Sequence, residues 1–322
     1  MIKKITYTII LCLLLTGCKK DLLHWQKVSE INSFTASRLN HIKFINDSVC
    51  IIGGGEKFSR AEVLRSVDRG YTWELDSFPV AGKGLYGLGT TNDGRIYLSG
   101  INGEVVYSLN YGKTWQIRQV NPSIYYVGIS FPDKNKGLLI STNVQTDGSI
   151  SVTDSNLNVL KSTAYPFGLN NIIMANTSIG YISGYGGVLK TIDEGQTWSY
   201  LTPVGNDNYT GMQVLNENEV WICGYGGSIL HTSDGGVSWQ RLRNGNDITL
   251  ASYHLYDIVF KDNLNGWAVG ENGKVIHTDD GGHHWMEYDH FTDNALLSIA
   301  ICPNGDLLTC GENGALFRLS VN

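Results

Sequence analysis

Few residue groupings in this chain have the types and spacing that chemistry requires. Glu271 and Glu312 stand in two copies of one Gly-Glu-Asn-Gly tetrapeptide. Two carboxyls held roughly 5 to 9.5 Å apart could act on a glycosidic bond, although the tetrapeptide reads more simply as a turn. Asp279-Asp280-Gly281-Gly282 offers two carboxylates, yet it lacks the spaced oxygen donors and closing glutamate of a calcium loop. His231 and His277 share a sequence position that Arg65, Tyr107 and Lys190 occupy elsewhere. A position open to all of these is expected on solvent-facing strand surface, not in a metal site. His283-His284 falls within a turn. No nucleophile elbow, phosphate loop or HExxH helix occurs, so no cofactor and no metal are expected.

What must position these residues is a repeat. Its sharpest copy runs from Gly266 to Trp285: a strand Trp267 to Val269, a turn Gly270-Glu271-Asn272-Gly273, a strand Lys274 to Thr278, and a second turn Thr278-x-Asp280-x-Gly282-x-His284-Trp285. In that turn the glycine can take positive φ, the Asp carboxylate can accept from turn amides, and the Trp can anchor the returning strand by burial. Four further copies centre on Asp68, Asn110, Asp193 and Asp234 and end on Trp73, Trp115, Trp198 and Trp239. Successive spacings are 42, 83, 41 and 46 residues, and the doubled gap holds a decayed copy at Gly148 to Asp154. Short strands and glycine-rich turns at this period indicate a β-propeller.

The motif resembles the Asp-box (BNR) repeat, and Gly-Trp-Ala-Val-Gly with the following Gly-x-x-Gly resembles the photosystem II stability and assembly factor-like propellers. The resemblance spans residues 23–322 and implies an all-β fold. Counting strand sets gives seven four-stranded antiparallel blades, six beginning near Leu39, Leu85, Ile124, Leu169, Tyr209 and Tyr253. The last is composite: three strands from Ala295 onward, closed by an N-terminal strand over Leu23 to Val28, with Trp25 where a box tryptophan would stand. Closure removes exposed sheet edges. The family implies a scaffold or assembly role. The alternative is a sialidase-like or other glycoside hydrolase, since those enzymes share the repeat; but Arg38, Arg60, Arg95, Arg118, Arg241, Arg243 and Arg318 are scattered, and an Arg-Ile-Pro tripeptide is absent.

Residues 1–17 read as a signal peptide: Lys3 and Lys4, an apolar run from Ile9 to Leu15, then Leu15-Thr16-Gly17-Cys18. The last four resemble a bacterial lipobox, which implies lipidation at Cys18, a short tether over residues 18–22 and a place on a bacterial cell-envelope membrane, the outer membrane before the inner. The chain carries net charge −6, and loss of Lys3 and Lys4 makes it −8. That acidity argues against nucleic acid. Of six cysteines, Cys12 lies in the signal; Cys223 and Cys310 are expected as small buried hydrophobes, and Cys302 is not expected to bridge to Cys310.

In a four-stranded blade, turns one-to-two and three-to-four share a rim, so the boxes with Asp68, Asn110, Asp193, Asp234 and Asp280 are expected to lock one rim. The opposite rim receives Asn102, Tyr185, Tyr225, Glu271 and Glu312. It also receives two insertions, Gly53 to Arg60 and Arg241 to Ser252, the latter carrying Arg241 and Arg243. This rim is the expected surface for a protein or glycan partner.

Overall fold

A computed structural model describes residues 22–78, 83–143, 147–201 and 207–321. The signal peptide and Cys18 lie outside them. The described chain forms a seven-bladed propeller of antiparallel sheets. In blade one, Arg38–Phe44 lies innermost and Cys50–Glu56, Arg60–Ser66 and Glu74–Phe78 follow outward. Blades two to six begin with Leu85–Thr90, Tyr126–Asp133, Leu169–Met174, Tyr209–Val214 and Leu255–Phe260. Blade seven holds Leu296–Ile301, Leu307–Gly311 and Leu316–Ser320, and Lys27–Glu30 is its outer strand.

The N-terminal closure thus stands, with a shift of three residues. Ser29 faces Arg318 as Met286 faces His277 in blade six, which places Val28, not Trp25, where a box tryptophan would be. Trp25 has a better partner. Its ring stacks on Tyr288 at 3.7 Å, meets Phe291 edge-on at 5.8 Å and donates Nε1–H to the Asp289 carbonyl at 3.0 Å. Just before it, Leu22–Leu23 pairs in parallel with Glu287 and Tyr288, giving blade six a fifth strand. The N-terminal segment therefore straps two blades together.

Each middle strand is apolar on both faces because blades pack face to face. Val220–Gly224, Gly266–Gly270 and Leu307–Gly311 are buried throughout. Cys50, Cys223, Cys302 and Cys310 are free and buried. His231 and His277 differ from expectation. They are only partly exposed, and each lies flat against a tryptophan, His231 on Trp221 at 3.8 Å and His277 on Trp267 at 4.7 Å. At the same position Lys190 lies over Tyr181 at 5.3 Å and Tyr107 stacks on Tyr97 at 5.9 Å, whereas Arg65 faces Ile51 and donates to the Tyr111 carbonyl of the next blade.

Polar groups of the innermost strands stitch neighbouring blades. Asn40 donates to the Leu85 carbonyl at 2.7 Å, His41 Nε2 meets the Tyr86 carbonyl at 2.6 Å, and Thr210 donates to the Leu255 carbonyl at 2.6 Å. Between blades two and three there is no room for such a group: a Cβ on Gly87 would lie 2.7 Å from the Gly128 Cα. Between blades six and seven, Asp257 accepts from Ser298 Oγ at 2.6 Å and the Ile299 amide at 3.1 Å. Burial raises its pKa to about 6, and those hydrogen bonds hold back a larger rise. The inner strands surround a central channel of about 830 Å³, lined by Asp257, His41 and Lys43 and, at the first-to-second turns of the box rim, by Ile45, Asn92 and Asn176.

The boxes are closed turns. In blade one Ser66 Oγ accepts from the Gly70 amide at 2.8 Å and donates to Asp68 at 2.8 Å, while Asp68 accepts the Thr72 amide at 2.9 Å and hydroxyl at 2.6 Å. Gly70 has φ +80°, the conformation for which the motif needs glycine. Asp193 and Asp234 repeat the scheme, Asp280 repeats it except for the hydroxyl that His284 lacks, and Asn110 does so with its amide donating to Thr114 Oγ1 at 2.9 Å. The decayed copy keeps its Asp: Asp154 accepts the Asn158 backbone amide at 2.8 Å and side-chain amide at 2.7 Å. Hydrogen bonds to the charged form lower the pKa of Asp234 to about 2, led by that of the Ser238 hydroxyl.

Candidate functional site

The rim opposite the boxes is built from second-to-third turns and between-blade segments. In blades two, five, six and seven the turn is one short 3-10 element: Ile101–Gly103, Tyr225–Gly227, Glu271–Gly273 and Glu312–Gly314. Its middle residue is left-handed, with φ of 58° at Asn102, 66° at Gly226, 53° at Asn272 and 55° at Asn313. Asn and Gly tolerate that conformation best, which explains the Gly-x-Asn/Gly-Gly signature. Asn102 therefore sits one place along from Tyr225, Glu271 and Glu312, and Ile101 is their counterpart in blade two. Tyr185 opens the equivalent turn of blade four.

These turns form a mouth at this rim together with residues that sequence reasoning passed over. Tyr86 and Tyr125 meet edge to face at 4.9 Å, and Tyr225 stacks on His254 at 4.0 Å. Arg38 pairs with Glu312 at 3.2 Å, which commits one member of the candidate glutamate pair to a cation. The phenols of Tyr86, Tyr125, Tyr225 and Tyr256 all have raised pKa values, with burial the largest cause. They are neutral donors through the physiological range. The missed signal was positional: Arg38, Tyr125 and His254 precede, and Tyr86 and Tyr256 follow, the buried residue that opens each inner strand.

Between blades four and five the rim opens into a cleft of about 340 Å³ lined by Tyr185, Gly186, Asp207, Asn208, Tyr225, Gly226 and Asn246. Asp207 lies at its edge with its charge matched: Arg241 Nη1 is 2.5 Å away and Ser228 Oγ donates at 2.9 Å. Asn208 is tied to Asn170 at 2.6 Å. Tyr225 remains 39% exposed at the cleft wall.

Arg241 and Arg243 belong to the fourth strand Gln240–Arg243, so the insertion itself begins at Asn244. Arg243 holds that insertion down. It donates to the carbonyls of Gly226, Gly227 and Ala251 at 3.0, 2.8 and 2.6 Å and lies over the Tyr253 ring at 4.6 Å. The other expected insertion is not a loop. Pairing continues from Gly53 to Glu56 against Arg60 to Val63, leaving a turn of Lys57, Phe58 and Ser59. Among the described residues no group of three or more His, Cys, Asp or Glu side chains could hold a metal ion.

Residues 168–249, which carry this cleft, match the family described as photosynthesis system II assembly factor YCF48. No curated protein matches the chain. Among solved structures, YCF48 bound to D1 peptide superposes with TM-score 0.71 at 15% identity, covering 94% of this chain and 99% of that one. YCF48 from Cyanidioschyzon merolae gives 0.70 at 16%, covering 91% and 98%. A streptogramin B lyase gives 0.72 at 13%, covering 92% and 98%. At these identities the likeness is one of fold, and the fold carries both binding proteins and an enzyme.

Proposed function

We propose that this chain is a non-catalytic binding propeller of the cell envelope, held by lipid on Cys18, that grips an extended segment of a protein partner at the tyrosine-lined mouth and thereby serves as a scaffold or assembly factor. The observation that carries the reading is the cleft between Tyr185 and Tyr225. The Tyr225 ring stands there with a phenol that stays neutral and beside a carboxylate, Asp207, whose charge is matched. Such a surface suits a peptide backbone, which needs apolar contact and hydrogen bonds together. The YCF48 structure named for a bound D1 peptide supports a protein partner over a glycan.

The test is capture. A photo-crosslinker placed at Tyr225 in the lipidated protein should trap envelope proteins, and one at Ile192 on the box rim should not. Tyr185→Ala with Tyr225→Ala should cut capture at least tenfold with an unchanged melting temperature. Capture only from Ile192, or turnover of a glycan by the purified protein, would overturn this reading.

A further inference from the structure

The strap that closes the ring also fixes an orientation. The outer strand of blade six, Met286–Tyr288, leaves its box at Trp285 and runs toward the mouth rim. Leu22–Leu23 is parallel to it, and Leu22 lies opposite Glu287. The chain therefore joins the propeller at its periphery, two positions past a box tryptophan, travelling away from the box rim. Covalent geometry limits the rest. Four peptide units separate Cys18 from Leu22, so an anchor at Cys18 lies within about 14 Å of that point.

The box rim also bears the apolar side chains that such proximity would use. Val67, Leu109 and Ile192 are 51, 51 and 71% exposed at the second place of their boxes, and Tyr71 and Val237 are 56 and 82% exposed at the sixth. The carboxylates of Asp68, Asp193, Asp234 and Asp280 are turned into their own turns and Glu194 pairs with Lys136, while Asp279 is exposed.

We propose that the Asp-box rim faces the membrane and rests its apolar turn tips on the lipid surface, so that the tyrosine mouth points away from the bilayer. This rests on acylation of Cys18 as read above. It adds which rim the partner must approach: the mouth is open to a segment arriving from the aqueous side, and a membrane-embedded partner can reach it only with a part that extends past the propeller.

The experiment uses the full-length acylated protein in phosphatidylcholine vesicles containing a headgroup-quencher lipid. A fluorophore is attached at Val237→Cys on the box rim or at Ile248→Cys on the mouth rim, where the native side chain is 98% exposed. The native thiols do not compete, because burial raises the pKa of Cys50, Cys223, Cys302 and Cys310. Quenching several-fold stronger at position 237 than at 248 is expected. Equal quenching, or stronger quenching at 248, with Cys18 acylated by mass spectrometry would overturn the orientation and leave the anchor standing. An unacylated Cys18 in cell membranes would overturn both.

Discussion

The two rims of this propeller solve the problem of a turn in opposite ways. On the box rim each turn repeats one local scheme of a hydroxyl, a carboxylate or amide, and backbone donors within eight residues. A cation of the neighbouring blade donates to its backbone in a second repeated contact, as Arg65 does to Tyr111, Lys190 to Gly235 and Arg318 to Arg69. On the mouth rim the turn backbone repeats but its side chains look outward for partners. Arg38 reaches from blade one to Glu312 of blade seven, and Tyr225 of blade five leans on His254 leading into blade six. A rim that satisfies itself can be copied. A rim whose side chains are left over after folding is free to differ from blade to blade, and specificity can reside there.

The comparison breaks most severely where a turn is missing altogether. Blade seven has no box, and its outer strand comes from the other end of the chain. Deleting residues 22–30 should cost on the order of 3–5 kcal/mol, the scale of losing a large aromatic side chain from a packed site, and should promote aggregation through the bared strand Leu316–Ser320. Denaturant unfolding and light scattering measure both. A truncated protein as stable as its parent would mean that the ring closes without the strap.

Asp257 sharpens the contrast because it obeys neither rim. Its folded pKa of about 6 exceeds the ordinary 3.8, so the native state takes up a proton before the unfolded chain does. Its ionised form destabilises the fold at neutral pH, and that cost disappears as pH falls from 6 toward 4. Asp234, at about 2, works the other way: its stabilisation is present above pH 4 and lost as pH falls toward 2. Burial lowers the pKa of His41 and His277 and opposes Asp257 in part of its window, so the readout is a difference between proteins. Asp257→Asn should gain on the wild type by on the order of 2–3 kcal/mol as pH rises from 4.5 to 7.5. Parallel stability curves for the two proteins would refute the assignment.

The smallest effect belongs to a single box. Asp280→Ala removes acceptors for the His284 amide and the Thr278 hydroxyl, a loss of about 1–2 kcal/mol. Partner capture by the folded fraction should be unchanged, since the turn lies on the other rim. Lost capture with an unaltered melting temperature would give the boxes a role in binding.

The sequence made the repeat legible because the box is local: Ser or Thr, Asp, Gly and Trp act on one another, and their spacing is their geometry. Blade number and strand order followed from counting. The N-terminal register was misread because Trp25 followed by a strand mimics the end of a box, whereas its true partners Tyr288 and Phe291 are nearly the whole chain away. The blade-to-blade bonds of Asn40, His41, Thr210 and Asp257 were invisible for a related reason. Three of these side chains bond backbone carbonyls, and Asp257 accepts from a hydroxyl and an amide; such partners leave little signature in the residue types opposite. At the mouth, Tyr185, Tyr225, Glu271 and Glu312 could be placed by repeat position. Arg38, Tyr86 and Tyr125 were missed because attention went to the turns and not to the ends of the inner strands.

The pairing of Lys27–Glu30 with Leu316–Ser320 also sets an order of events. The first-made strand of the propeller can find its partner only after the last-made one has emerged. Blades one to six are each built from neighbouring residues, whereas this pairing joins residues 293 positions apart (320 − 27) and so carries the largest loop-closure cost of the blade sheets. That one long-range pairing converts a curved stack of blades into a closed disc.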